Sequence, residues 1–201
     1  MNDNIEDLSS AFARFPGIGP RQAKRFVYYL LSTTSAERTR LADLITKLGS
    51  TIRQCSMCMR FSPTNSDTLC NYCADSGRDD TLLMVLEKDQ DLTAVERAQA
   101  YKGRYFVLGG IIALSGKGAI RERDLIRAVE VRTKKGLEEI VLALSATSEG
   151  EHTADRVREL LRPLQGSLRI TELGRGLATG SELEYSDAQT LSSALQNRKE
   201  T

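Results

Sequence analysis

Four cysteines set the tightest constraint on what this chain can fold into. In CSMCMRFSPTNSDTLCNYC, Cys55, Cys58, Cys70 and Cys73 follow the pattern C-x2-C-x11-C-x2-C. Each C-x2-C turn brings two sulfurs to one side of a tight loop, and two such turns complete a tetrahedron that suits a zinc ion. With all four positions filled by protein no place is left for water, so the pattern predicts one structural Zn2+ per chain rather than a catalytic one. Its expected job is to fix the helical part of the chain against the α/β part. Disulfides or idle thiols are the alternative, and a reducing compartment disfavours disulfides. The opening residues, MNDNIEDLSS, are acidic and lack an apolar core, so no secretory signal is expected there. No stretch approaches the length that spans a bilayer. A cytoplasmic protein without a membrane partner is expected.

The residues before the cysteines read as helical. Ile5, Leu8, Phe12 and Phe15 recur at helix-like intervals over 4–15. FPGIGPRQAKRFVYYLL then sets Gly17 and Gly19 around one isoleucine and puts Pro20 in the first turn of a second helix, where its missing N–H costs nothing. Ala23, Phe26, Val27 and Leu30 form the apolar face of that helix, while Arg21, Lys24 and Arg25 stand at i, i+3 and i+4 on a solvated one. Gly17 and Gly19 admit positive φ and let the backbone come close to a neighbour. A glycine turn feeding an open helix N-terminus offers N–H groups and partial positive charge, a combination that holds a phosphate. Three cations on one face point to a clamp on the DNA backbone; the alternative is an ordinary helical corner with solvated cations. Formal net charge is only +1 over 201 residues, so such binding rests on a local patch. A third helix is expected over 35–48, with Thr34 and Glu37 as a capping box and Leu41, Leu44, Ile45 and Leu48 as its apolar stripe.

Beyond the cysteines the rhythm changes. TLLMVLE, RYFVLGG, EEIVLALS and SLRITEL read as strands, and DQDLTAVERAQA, RERDLIRAVEVRTK and HTADRVRELLRPL as helices between them. This alternation predicts βαβ units around a largely parallel sheet. The tail GRGLATGSELEYSDAQTL reads as a glycine-rich loop leading into a final helix, for which Asp187 is a candidate cap.

Ligand sites of open α/β sheets form at the C-terminal edges of the strands. Glu87 ends the first strand, and Glu149 and Glu151 follow the third, just before a helix. This arrangement looks like a Toprim domain, the metal-binding α/β module of topoisomerases and primases. Catalytic members read D-x-D-x-E-G-E where this chain has Ser145, Ala146, Thr147, Ser148, Glu149, Gly150 and Glu151. Mg2+ demands charged oxygen ligands, and neither serine nor threonine supplies one. A Toprim scaffold without Toprim catalysis is expected, its glutamates forming either a solvated acidic rim or a docking surface for a partner protein. GGIIALSGKGA is not a P-loop, because five residues separate Gly110 from Gly116 where the motif has four, and Gly118 replaces the Ser or Thr. His152 is the only histidine and has no cysteine near it in sequence, which gives a nucleophilic pair little support.

Glycine-hairpin helix, four-cysteine segment, degenerate Toprim stretch and GRGLATGSELEYSDAQTL tail, in that order, resemble the RecR family of bacterial recombination mediators over nearly the whole chain. The resemblance implies an α/β protein of several modules: a helix-hairpin-helix DNA-binding module over 1–54, a four-cysteine zinc finger and linker over 55–80, a Toprim domain over 81–172, and a Walker-B-like segment and helix over 173–201. It implies that Arg21 and Arg25 fall on the DNA-contacting positions of the family, with Lys24 a neighbour by helical geometry. It likewise implies Glu149 and Glu151 as RecO-side contacts, with Glu87 on the same acidic edge. ELEYSD matches a segment likened to Walker B, where Asp187 reads otherwise as a helix cap. Members of the family are similar in carrying no enzymatic activity. They form a tetrameric ring that encircles double-stranded and gapped DNA without sequence preference, with N-terminal helices and C-terminal tail packed across subunits. They work with RecO and RecF to load recombinase at single-strand gaps, as cytoplasmic proteins associated with the nucleoid during repair. The alternative is a metal-dependent Toprim nuclease or primase-like enzyme, with Glu87, Glu149 and Glu151 holding Mg2+.

Overall fold

A computed structural model of the chain describes residues 4–64, 68–164, 166 and 168–198, which gather into two units divided between Arg53 and Gln54. The first unit is helical. α1 (Asn4–Phe12) packs on α2 (Pro20–Ser32), burying Ser9, Ala23 and Val27. Phe12 meets Phe26 edge-on with ring centroids 5.9 Å apart. α1 stops three residues short of the expected Phe15, which is left 57% exposed. The cause is local: a residue followed by proline is driven out of the helical region, and Phe15 precedes Pro16.

α3 (Ser35–Thr51) begins as its sequence indicates. Thr34 Oγ1 accepts from the Glu37 N–H at 3.2 Å, and Glu37 Oε2 accepts from the Thr34 N–H at 2.9 Å. Its apolar stripe is present but uncovered. Leu41, Leu44, Ile45 and Leu48 are not packed away in this chain but stand between 39% and 59% exposed.

β1 (Ile52–Gln54) spans the division, and in the second unit β2 (Phe61–Pro63) and a single helical turn, α4 (Asn71–Ala74), follow. Residues 65–67 of the cysteine spacer, and Ser167 of the last expected strand, lie outside the described residues. Then β3 (Asp79–Leu86), α5 (Asp89–Ala98), β4 (Gly103–Val107), α6 (Glu122–Thr133), β5 (Glu139–Ala143), α7 (Ser148–Leu161), β6 (Arg169–Glu172) and α8 (Ala188–Gln196) alternate as the sequence predicts. The four longer strands form a parallel sheet in the order β4-β3-β5-β6, with Leu83 opposite both Arg104 and Ile140.

Side chains alternate across this sheet and fill two cores. Leu83, Val85, Phe106 and Ile140 meet Leu125 and Val129 of α6 and Val157 and Leu161 of α7. Met84, Leu86, Tyr105 and Val107 meet Leu92 of α5 on the opposite face. The chain leaves β3 toward β4 on one side and returns to β5 on the other. The order therefore reverses between β3 and β5, and a crevice opens beyond their C-terminal ends. Among the described residues, no helix is long and apolar enough to cross a membrane.

Candidate nucleic-acid interface and metal centre

The glycine turn places its two glycines differently. Gly17 has φ of 76°, which needs glycine, whereas Gly19 is extended (φ −81°, ψ 166°) and serves as the N-cap of α2. Positive φ, which either glycine admits, is used by Gly17 alone of the two. An added Cβ would meet nothing within 4 Å at either position, so the turn's backbone is open to close approach. No side chain caps the N-terminus of α2, and Pro20 brings no N–H, so the open donors are the N–H groups that follow it in the first turn, with the helix dipole behind them.

Arg21, Lys24 and Arg25 are all exposed, but they are not equivalent. Lys24 Nζ sits 2.5 Å from Glu6 Oε1, so much of its charge is answered within the unit. Arg25 donates to Gln22 Oε1 at 3.3 Å, and Arg21 forms no ion pair among the described residues. The two guanidiniums are the cations this face presents to an outside acceptor.

The four cysteine sulfurs lie within 4.8 Å of one another, and Cys58 Sγ is 3.5 Å from Cys70 Sγ. A tetrahedron with zinc–sulfur bonds of about 2.3 Å has edges of roughly 3.8 Å, so the donor set fits such a metal. Cys55, Cys58 and Cys70 are buried and Cys73 partly so. The knuckle at Cys55 is a tight turn in which Met59 adopts φ of 61° and returns its N–H to the Cys55 carbonyl at 3.0 Å. The Cys70 N–H points at Cys55 Sγ at 3.4 Å. Four sulfurs this close cannot all ionise without a cation among them: the hydrogen bond with Cys55 pushes Cys58 up, and burial adds to it.

Four arginines and one backbone bond join this cluster to the parallel sheet and the helices packed on it. The Val107 N–H donates to the Cys58 carbonyl at 2.8 Å. Arg121 Nη1 reaches the carbonyls of Met59 (3.1 Å) and Val107 (2.9 Å). Arg104, itself 7% exposed, donates from Nη1 to the carbonyls of Tyr72 (3.0 Å), Cys73 (3.3 Å) and Asp75 (2.8 Å), and from Nε to Asp80 Oδ1 (2.7 Å). Arg78 chelates Glu96 and lies over the Tyr72 ring at 4.7 Å. Arg132 Nη2 lies 3.9 Å from Cys73 Sγ. Sequence reading missed all of them, because each alone resembles a surface cation. One signal was present: an arginine inside the apolar run RYFV has nowhere to go but a buried partner.

At the crevice, Glu87 follows β3 with its side chain only 13% exposed, accepting from Ser145 Oγ at 2.9 Å. Thr147 caps α7, its Oγ1 accepting from the Gly150 N–H at 3.1 Å. The two hydroxyl residues therefore have structural employment where catalytic Toprim sequences carry carboxylates. Glu149 and Glu151 lie inside the first turn of α7 rather than before it, since that helix starts at Ser148. Acidic side chains are favoured there by the dipole. Glu149 lines the same open cavity of about 510 Å³ as Glu87 and Ser145. Glu151 faces elsewhere and pairs with Arg175 at 2.6 Å. The three glutamates thus do not form one cluster. His152, the fifth residue of α7, is exposed. In the tail, ELEYSD makes a single 3-10 turn over Leu183–Tyr185, and Asp187 caps α8 by accepting from the Thr190 N–H (2.9 Å) and hydroxyl (2.7 Å).

Comparison with known proteins fits this layout. Residues 81–173 match the family model of the Toprim domain, residues 5–48 that of "RecR, helix-hairpin-helix", and residues 176–199 that of "RecR, C-terminal". Recombination protein RecR of Ruegeria sp. is 39% identical over 201 residues, covering 99% of this chain and 97% of its own. This chain belongs to the RecR family. RecR of Nocardioides sp. is 38% identical over 197 residues (97% of this chain, 96% of its own), and RecR of Chlorobium luteolum 37% over 200 (98% and 97%). The glycine turn therefore falls in the RecR helix-hairpin-helix segment, the Glu87–Ser145 pair in the Toprim segment and Asp187 in the RecR C-terminal segment.

Proposed function

We propose that this protein is a non-enzymatic DNA-binding clamp and adaptor in recombinational DNA repair, acting with RecO and RecF to help load recombinase at single-strand gaps. One observation carries the reading. A glycine turn with open backbone feeds the uncapped N-terminus of α2, and Arg21 and Arg25 stand exposed on that helix within the RecR helix-hairpin-helix segment. N–H groups, dipole and guanidiniums converge on the chemistry of a phosphate and on nothing that reads a base, so binding is independent of sequence.

The uncovered stripe on α3, together with exposed Tyr28, Tyr29 and Leu31 of α2, supports assembly with further copies of the chain, with a tetrameric ring repeating the patch around DNA. The acidic residues are offered to RecO at two places, Glu87 and Glu149 at the crevice and Glu151, paired with Arg175, on another side of α7. The four cysteines hold one structural Zn2+, which cross-links two chain segments and leaves no ligand position for substrate. Absence of turnover is supported by Ser145 and Thr147, which supply no charge for Mg2+ at the switch point.

The test is retention of gapped duplex. Arg21→Ala with Arg25→Ala abolishes retention at moderate salt while circular dichroism stays that of the parent; undiminished retention contradicts the proposal. In the same reactions with Mg2+ or Mn2+ the strands stay intact. Cleavage or extension that disappears on Glu87→Ala instead establishes the enzyme.

A further inference from the structure

Arg132 is a buried cation of the second unit that no carboxylate pairs with among the described residues. It sits in the last turn of α6, only 4% exposed, and among the described residues its Nε has no hydrogen-bond partner. A guanidinium keeps its proton in a protein, so burying it calls for a counter-charge. Asp80 lies near enough to feel Arg132, but its hydrogen bond goes to Arg104. The side-chain acceptor that Arg132 does reach is sulfur: Nη2 is 3.9 Å from Cys73 Sγ. A divalent ion held by four thiolates leaves the cluster with a net charge of about −2. A buried cation against the cluster is what such a centre needs.

We propose that Arg132 is the outer positioning residue of the cysteine metal centre: it offsets the charge of the metal-bound Cys73 sulfur, fixes its direction and ties the centre to α6. The inference rests on the four cysteines being a metal site. A second observation bears on the same ligand. Arg104 holds the carbonyls of Tyr72, Cys73 and Asp75, so one guanidinium grips the backbone of this knuckle and the other its sulfur. Cys73 is also the one ligand that is not fully buried, so it is where solvent or a chelator first gains access. Outer partners of this kind orient metal ligands, and losing one lowers metal affinity about 10–100-fold.

The experiment uses the full chain loaded with zinc, and in parallel with cobalt, whose thiolate-to-metal absorption reports on sulfur. Arg132→Met and Arg132→Gln lower zinc affinity by about 10–100-fold in chelator competition. The cobalt band moves to longer wavelength, because a sulfur stripped of its donor gives up electrons more readily. Arg132→Lys, which keeps the charge, recovers most of both effects; a purely structural role would leave the band in place. Arg132→Gln with parental zinc affinity and cobalt band overturns the proposal, whether or not the methionine variant folds. A parent chain that takes up no zinc removes the metal centre itself and this role with it, an outcome told apart by stoichiometry alone.

Discussion

At the scale of single residues, the corner between β5 and α7 shows how closely the degenerate Toprim edge is built. A Cβ on Gly150 would lie 1.9 Å from the Ser145 carbonyl oxygen, a distance that only backbone movement relieves. Gly150→Ala is therefore expected to cost about 3 kcal/mol, read as a lower urea midpoint at unchanged slope. The stretch Glu149-Gly150-Glu151 announced an acidic edge in the sequence, yet the reason for its glycine appears only once α7 is seen pressed against the β5 loop. The separation of Glu151 from Glu87 was equally illegible, since it depends on Arg175, 24 residues further on.

Among elements, the rhythm of strands and helices beyond the cysteines was legible, because parallel strands buried on both faces read as apolar runs and their crossovers as amphipathic ones, whereas the short β1 and β2 were not read. Helix starts at Pro20 and Thr34 were legible too, since caps are local chemistry. What joins the cysteine knuckles to the sheet was not, because Arg104, Arg121 and Arg132 reach the knuckles across 29 to 62 residues of chain. The Arg104–Asp80 pair gives this joint a pH dependence. The Arg104 hydrogen bond holds the Asp80 carboxyl below its ordinary value of about 4. A carboxyl lowered in the folded state contributes stability that is complete above the unfolded value and lost as pH falls through the folded one. Thermal midpoints between pH 6 and 2 should fall toward acid in the parent and fall less in Asp80→Asn. An identical acid limb in both would assign the effect to other groups.

For the whole molecule, the governing fact is surface that a single chain leaves uncovered. The α3 stripe was legible as apolar, but a lone sequence cannot say whether its cover comes from the same chain or another. Leu44→Glu with Ile45→Glu is expected to lower the solution mass by light scattering while leaving helicity unchanged; parental mass would assign the stripe another role.

The central claim is that the protein holds nucleic-acid backbone by charge and amide geometry at the turn into α2. Salt dependence of its affinity for gapped DNA tests this most directly. The logarithm of the binding constant should fall steeply and linearly with the logarithm of salt concentration, alike for unrelated sequences. In the Arg21→Ala, Arg25→Ala double variant the slope should be shallower by about 0.9 for each phosphate the protein no longer neutralises. A slope that is flat in the parent, or the same in parent and variant, would contradict it.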